Sequence, residues 1–93
     1  MSNSILIPHL KRSPTPVGRA EDKLPVRVGD VVDAYNEEGE LFRVRIDENS
    51  DIEILYGVIT AIQYQGILVD PDGIRVGDEV IVPRSCVAAV TRY

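Results

Sequence analysis

The chain has 93 residues, of which 44% are hydrophobic and 27% charged, with a formal net charge of −5 at neutral pH. That is one domain's length with a globular balance, which excludes disorder along the whole chain and leaves little room for a deep, enclosed active site. The acidic excess disfavours general binding to phosphate backbones, the lone Cys86 excludes an internal disulfide, and no apolar run approaches bilayer length.

The first residues hold the apolar triplet Ile5-Leu6-Ile7 without the basic leader of a signal peptide. With a single cysteine, a cytoplasmic, reducing location is the expectation. Residues 8–25 contain Pro8, Pro14, Pro16 and Pro25, four of the six prolines. Each removes a backbone donor and biases the preceding residue away from helix. Residues 1–23 therefore read as an extended, proline-rich N-terminal arm, and residues 24–93 as the folded domain. The arm is locally basic, with Lys11, Arg12, Arg19 and Lys23 against Glu21 and Asp22.

From Pro25 onward, short β-rich runs alternate with turn signals. Val28-Gly29-Asp30 opens a strand over 31–35, and Asn36-Glu-Glu-Gly39 reads as a hairpin loop. The next strand, 40–47, alternates cleanly, with Phe42, Val44 and Ile46 inward and Leu41, Arg43 and Arg45 outward. After a turn at Glu48-Asn-Ser-Asp51, residues 52–64 read as one bent strand or two. Ile52, Ile54, Tyr56, Val58, Ile62 and Tyr64 share its predicted core face, and Gly57 marks a bulge or bend. Gln65-Gly66 turns the chain into 67–70, and Pro71-Asp-Gly73 turns it again. Glu79–Val82 and Val87–Arg92 complete the strands. No segment sustains a helical apolar period, so the expected fold is all-β, a small barrel or roll of five or six strands.

Arg27-Val-Gly-Asp30 recurs as Arg75-Val-Gly-Asp78. The economical reading is a common way to start a barrel strand, with glycine allowing the reversal. A duplicated half-barrel is the alternative, which the mismatched flanking sequences do not favour.

Val82-Pro-Arg-Ser-Cys-Val87 followed by Ala88-Ala-Val90 resembles the end of an SH3 domain, where a single 3₁₀ turn joins the last two strands. Pro83 and Ser85 match that turn, and Val87 matches the start of the final strand. Val28-Gly29-Asp30 before Val32 is similar to the turn that opens many SH3-like strands. The resemblance implies an SH3-like barrel. It does not carry the family's proline-rich-peptide binding: the chain has no tryptophan, no Ala-Leu-Tyr-Asp-Tyr-like segment, and Cys86 where a groove tyrosine would stand.

Asp47-Glu-Asn-Ser-Asp51 spaces oxygens as a calcium loop does, but Ile52 and Val58 replace the glycine and glutamate such a loop requires. Asp70-Pro-Asp-Gly73, near Asp78 and Glu79, is explained by its turn alone. His9 lies in the arm, and Cys86 reads as a buried, inert thiol. The expectation is thus no catalytic residue, no metal and no cofactor. Exposed apolar side chains beside arginines mark interfaces, which singles out Tyr35, Leu41, Arg43 and Arg45, with Ile5, Leu6 and Ile7 as the arm's anchor. The expected function is a non-catalytic protein-interaction or assembly module, with homodimerisation by arm exchange as one form. The alternative is nucleic-acid binding through Arg27, Arg43, Arg45, Arg75 and the basic arm. No membrane partner is expected.

Overall fold

The computed structural model describes residues 4–18, 25–71 and 73–92. Seven strands follow one another in chain order: β1 Ile5–Leu6, β2 Val31–Tyr35, β3 Glu40–Glu48, β4 Ile54–Tyr64, β5 Ile67–Leu68, β6 Glu79–Pro83 and β7 Ala89–Thr91. They form one mixed sheet in the order β1-β6-β4-β3-β2-β7, with β5 paired to the far end of β4. All pairs are antiparallel except β1 on β6. Among the described residues, the single 3₁₀ turn, Arg84–Cys86, lies between β6 and β7.

The all-β expectation holds, with two differences. The strand number is seven, because the arm contributes β1 and the Gln65-Gly66 turn divides the 52–70 run into β4 and β5. Both turn residues have positive φ, 51° and 80°, as a tight two-residue hairpin turn demands. Hydrogen bonding also leaves the sheet open rather than closed into a barrel, since the end strands β1 and β7 do not pair with each other. These strands hold only two and three residues.

Phe42, Val44 and Ile46 point into the core as their alternation requires. The face assigned to β4 is corrected: Leu55, Ile59 and Ile62 are buried, whereas Ile54, Tyr56 and Val58 lie outward and Ile52 precedes the strand, exposed. A bulge at Thr60 is the cause. Val44 pairs with Ile59 but Arg43 with Ala61, so one extra residue shifts the alternation and returns Ile62 to the inside. A second bulge, at Asp47, lies between the rungs Ile46 with Gly57 and Glu48 with Tyr56. Gly57 itself is in register and has no positive φ.

The arm is part of this core. Ile7 is 1% exposed and belongs to the same buried cluster as Val80 and Val82, and Leu10 bridges to Asn36. Backbone donors of Lys11, Ser13 and Val17 reach carbonyls of Tyr35, Ser85 and Val87. Of the apolar anchor, Ile7 is therefore buried within the chain, while Ile5 and Leu6 remain 42% and 60% exposed. Part of the boundary drawn at residue 23, from 19 to 24, lies outside the described residues.

The repeated tetrapeptides have the same geometry. In each, the aspartate carboxylate accepts from the arginine backbone N–H, at 2.8 Å for Asp30 to Arg27 and 2.9 Å for Asp78 to Arg75. In each, the glycine has φ near +96°, 95° for Gly29 and 97° for Gly77, and its N–H donates to an isoleucine carbonyl at 2.8 Å. Those acceptors are Ile46 on β3 and Ile59 on β4.

The correspondence extends along the sheet. The rungs Val31 with Arg45, Val32 with Val44, Asp33 with Arg43, Ala34 with Phe42 and Tyr35 with Leu41 match Glu79 with Val58, Val80 with Gly57, Ile81 with Tyr56, Val82 with Leu55 and Pro83 with Ile54. The β3–β4 ladder maps onto itself, exchanging the two bulges. A pseudo-two-fold axis therefore passes through the Arg45 and Val58 rung. The central strands β2, β3, β4 and β6 thus have the pseudo-symmetry that a duplicated half would give, but their chain order is reversed between the halves, and β1 is parallel to β6 where β7 is antiparallel to β2.

The two aspartates differ in surroundings. Asp30 is 6% exposed and also accepts from Arg92 Nε at 3.1 Å, while Asp78 is more open. Asp30→Ala is expected to cost about 2–3 kcal/mol and Asp78→Ala about 1 kcal/mol, from lost turn caps and, for Asp30, a lost charge-assisted bond. Urea denaturation of both variants checks this, and equal losses would contradict the asymmetry.

Candidate functional site

The outer face of the sheet carries the candidate site. Directly opposed residues of antiparallel strands share a face, so Tyr35, Leu41, Gln63 and Leu68 form one row across β2, β3, β4 and β5. None is charged. Tyr35 is 43% exposed and Leu68 71%, while Leu41 is half-buried between them. The adjoining row is Ala89, Asp33, Arg43 and Ala61, and the row beyond it runs through Val31, Arg45 and Val58.

The polar part of this face is largely self-neutralised. Arg43 Nε lies 3.4 Å from Asp33 Oδ1, an ion pair without hydrogen-bond alignment, and Arg45 Nε lies 3.7 Å from Asp47 Oδ1. Burial pushes the Asp33 carboxyl above its ordinary value, against the opposing pull of Arg43. Such exposed or half-exposed pairs contribute little stability and orient the guanidinium groups instead.

The residues singled out in the sequence separate into three places. Tyr35, Leu41, Arg43 and Arg45 come together on the outer face of β2 and β3. Ile7 is in the core, and Ile5 is at its rim, 42% exposed, opposite Val80. Leu6 lies on the outer face of the other half, in register with Ile81 and Tyr56. The arm's apolar residues therefore do not join the Tyr35 surface.

Sequence reasoning missed Ile67 and Leu68, read only as strand residues. A signal was present: from Ile54 to Val69 no side chain is charged, in a chain with 27% charged residues. It also missed Arg84, which is buried and whose Nε and Nη2 donate to the carbonyls of Asp51 and Asn49 at 3.0 and 2.8 Å.

The acidic turns have local duties. The Asp51 carboxylate accepts from the N–H groups of Glu53 and Ile54, and Asn36 Oδ1 accepts from those of Glu38 and Glu40. Among the described residues, no three His, Cys, Asp or Glu side chains are grouped to hold a metal ion, and no helix is long and apolar enough to cross a membrane. Cys86 is 4% exposed, and burial pushes its thiol up, against the weaker influence of Ser85 and Arg12. A thiol in that state is a poor nucleophile. Comparison with protein-family models, curated proteins and solved structures returns no match to this chain.

Proposed function

We propose that the protein is a non-catalytic protein-interaction or assembly module built on an SH3-like roll. The uncharged row Tyr35, Leu41, Gln63 and Leu68 carries the reading, because it sets apolar side chains on a stiff four-strand platform and flanks them with oriented arginines. An exposed aromatic and aliphatic row with an arginine border has the composition of an interface core and rim. The 3₁₀ turn between β6 and β7 and the two bulges that bend β3 and β4 support the SH3-like description.

A photo-reactive amino acid in place of Tyr35 is expected to cross-link to protein, either another copy or a different chain. Adding Leu41→Glu is expected to reduce that yield at least roughly tenfold, since it puts a charge at the centre of the contact. The same probe at Val28, exposed on the first turn, should be insensitive to Leu41→Glu. If Tyr35 cross-links do not depend on Leu41, and the protein is retained on DNA or RNA in a steeply salt-dependent manner, nucleic-acid binding through the arginines replaces this reading.

A further inference from the structure

Strand β5 is an edge with none of the usual protection. It pairs with β4 on one side, and among the described residues no strand pairs with its other side. Its two side chains, Ile67 and Leu68, are 69% and 71% exposed. Sheet edges are ordinarily kept from pairing by charge, proline, a bulge or cover from another element. Neither strand residue is charged or proline, and the β4–β5 register has no irregularity.

The other short edges differ. Strand β1 is followed by the buried Ile7 and then Pro8, and β7 ends at Thr91, next to Arg92, which is tied to Asp30. Strand β1 also carries exposed apolar side chains, Ile5 at 42% and Leu6 at 60%, but those of β5 are the more exposed, on an edge that its tight Gln65-Gly66 turn holds in a fixed position.

We infer that this edge pairs with the β5 edge of a second copy, antiparallel about a two-fold axis, so that one sheet runs through both molecules. This rests on the reading of the Tyr35–Leu68 row as a protein-binding surface, and names its occupant. The charge distribution favours a second copy. At a net charge of −5 two copies repel, and an isologous contact brings each residue near its own equivalent. Such a contact needs a patch that brings no like charges together at its centre. The uncharged run from Ile54 to Val69 supplies one and includes the whole β4–β5 hairpin.

Across the axis, Leu68 of each copy packs near the other's Leu68, with Gln63 beside it and Leu41 one strand further from the axis. Two strands of this length make a small interface, at the weak end of the range for specific association, so a micromolar dimer is expected.

Sedimentation velocity of the full chain, from low micromolar to near-millimolar concentration, tests this. The apparent mass is expected to double across that range. Leu68→Glu and, separately, Ile67→Glu are expected to raise the dissociation constant at least ~30-fold, by placing like charges face to face in an apolar contact. Both side chains are exposed in the monomer, so circular dichroism should be unchanged. Glu79→Gln, on the far part of the same face, should leave the dimer intact. A wild-type protein that stays monomeric throughout overturns the second copy as occupant, while a Leu41-dependent cross-link to a different protein would still stand. A dimer that survives both hairpin variants overturns β5 as its edge.

Discussion

Gly57→Ala is expected to remove the folded state from most of the population, or at least to cost about 3 kcal/mol. Its glycine is required by space and not by backbone conformation, since Gly57 has no positive φ. A methyl group there would collide with the Arg45 carbonyl oxygen and come within 2.7 Å of Val44 Cγ1. The pseudo-two-fold axis explains the conflict. Val44 and Gly57 are equivalent positions diagonal to each other across the central rung, and their inward sides meet. Only one of them can carry a side chain of any size. Relief through Val44→Ala would answer the methyl contact but not the carbonyl, so the double variant is expected to recover only part of the loss. A domain of this length has on the order of 10 kcal/mol in total, so the effect is large on any scale of melting temperature. Thermal denaturation followed by circular dichroism, with proton NMR to judge side-chain dispersion, reads the outcome. A Gly57→Ala protein with the wild-type midpoint would show that the β3–β4 crossing is looser than its geometry requires.

The same axis explains what was legible in the sequence and what was hidden. Local signals were strong in the first half: alternation in β3 placed Phe42, Val44 and Ile46 correctly, and Asn36 and Gly39 marked their loop. Alternation in β4 was equally clean yet gave the wrong face. Its start at Ile52 lies outside the strand, and the Thr60 bulge, which carries no glycine or proline, changes the phase. A bulge of that kind comes from pairing with β3, which is tertiary information. Symmetry was hidden for a related reason. In the first half the turn and β2 precede their partner β3, while in the second half the partner β4 comes before the turn and β6. Only the residues after each turn, Val31–Tyr35 and Glu79–Pro83, are therefore equivalent in chain order, and the partner strands β3 and β4 stand on opposite sides of their turns. The candidate face was half legible. Tyr35 and Leu41 follow from the register of one hairpin, but Leu68 joins them only through the β4–β5 turn. The proline-rich arm misled in a different way: prolines exclude helix, yet they do not prevent Ile5–Leu6 from pairing or Ile7 from being buried.

Arg84→Ala is the second large effect expected, at about 2–4 kcal/mol. The side chain is 94% removed from solvent, being 6% exposed, and it holds the loop between β3 and β4 from the inside. Its Nε and Nη2 donate to the carbonyls of Asp51 and Asn49, and its own N–H donates to the Glu53 carbonyl at 2.8 Å. Charge-assisted bonds to carbonyls are stronger than neutral ones, and the planar guanidinium spans both acceptors at once. Against this, Nη1 is buried without a partner and no carboxylate neutralises the group among the contacts described, which lowers the net gain. These two contributions separate experimentally. Arg84→Met keeps an apolar stem in place, removes the orphaned Nη1, and leaves carbonyls that an exposed loop can hydrate. It is therefore expected to cost less than Arg84→Ala, with Arg84→Lys between wild type and alanine because one ammonium cannot replace the fork. Hydrogen exchange gives the local readout: amides of residues 49–54 should exchange faster in both the alanine and methionine variants, while β2 and its rungs with β3 keep their protection. Equal and small losses for alanine and methionine, with unchanged exchange in the loop, would mean that Arg84 neither clamps the loop nor contributes by filling space. A loop released from Arg84 would also free Ile52, already 74% exposed, and the start of β4, while the Tyr35–Leu68 row at the other end of that strand kept its shape. The interaction face and the clamp are thus predicted to fail independently, as their separation along β4 requires.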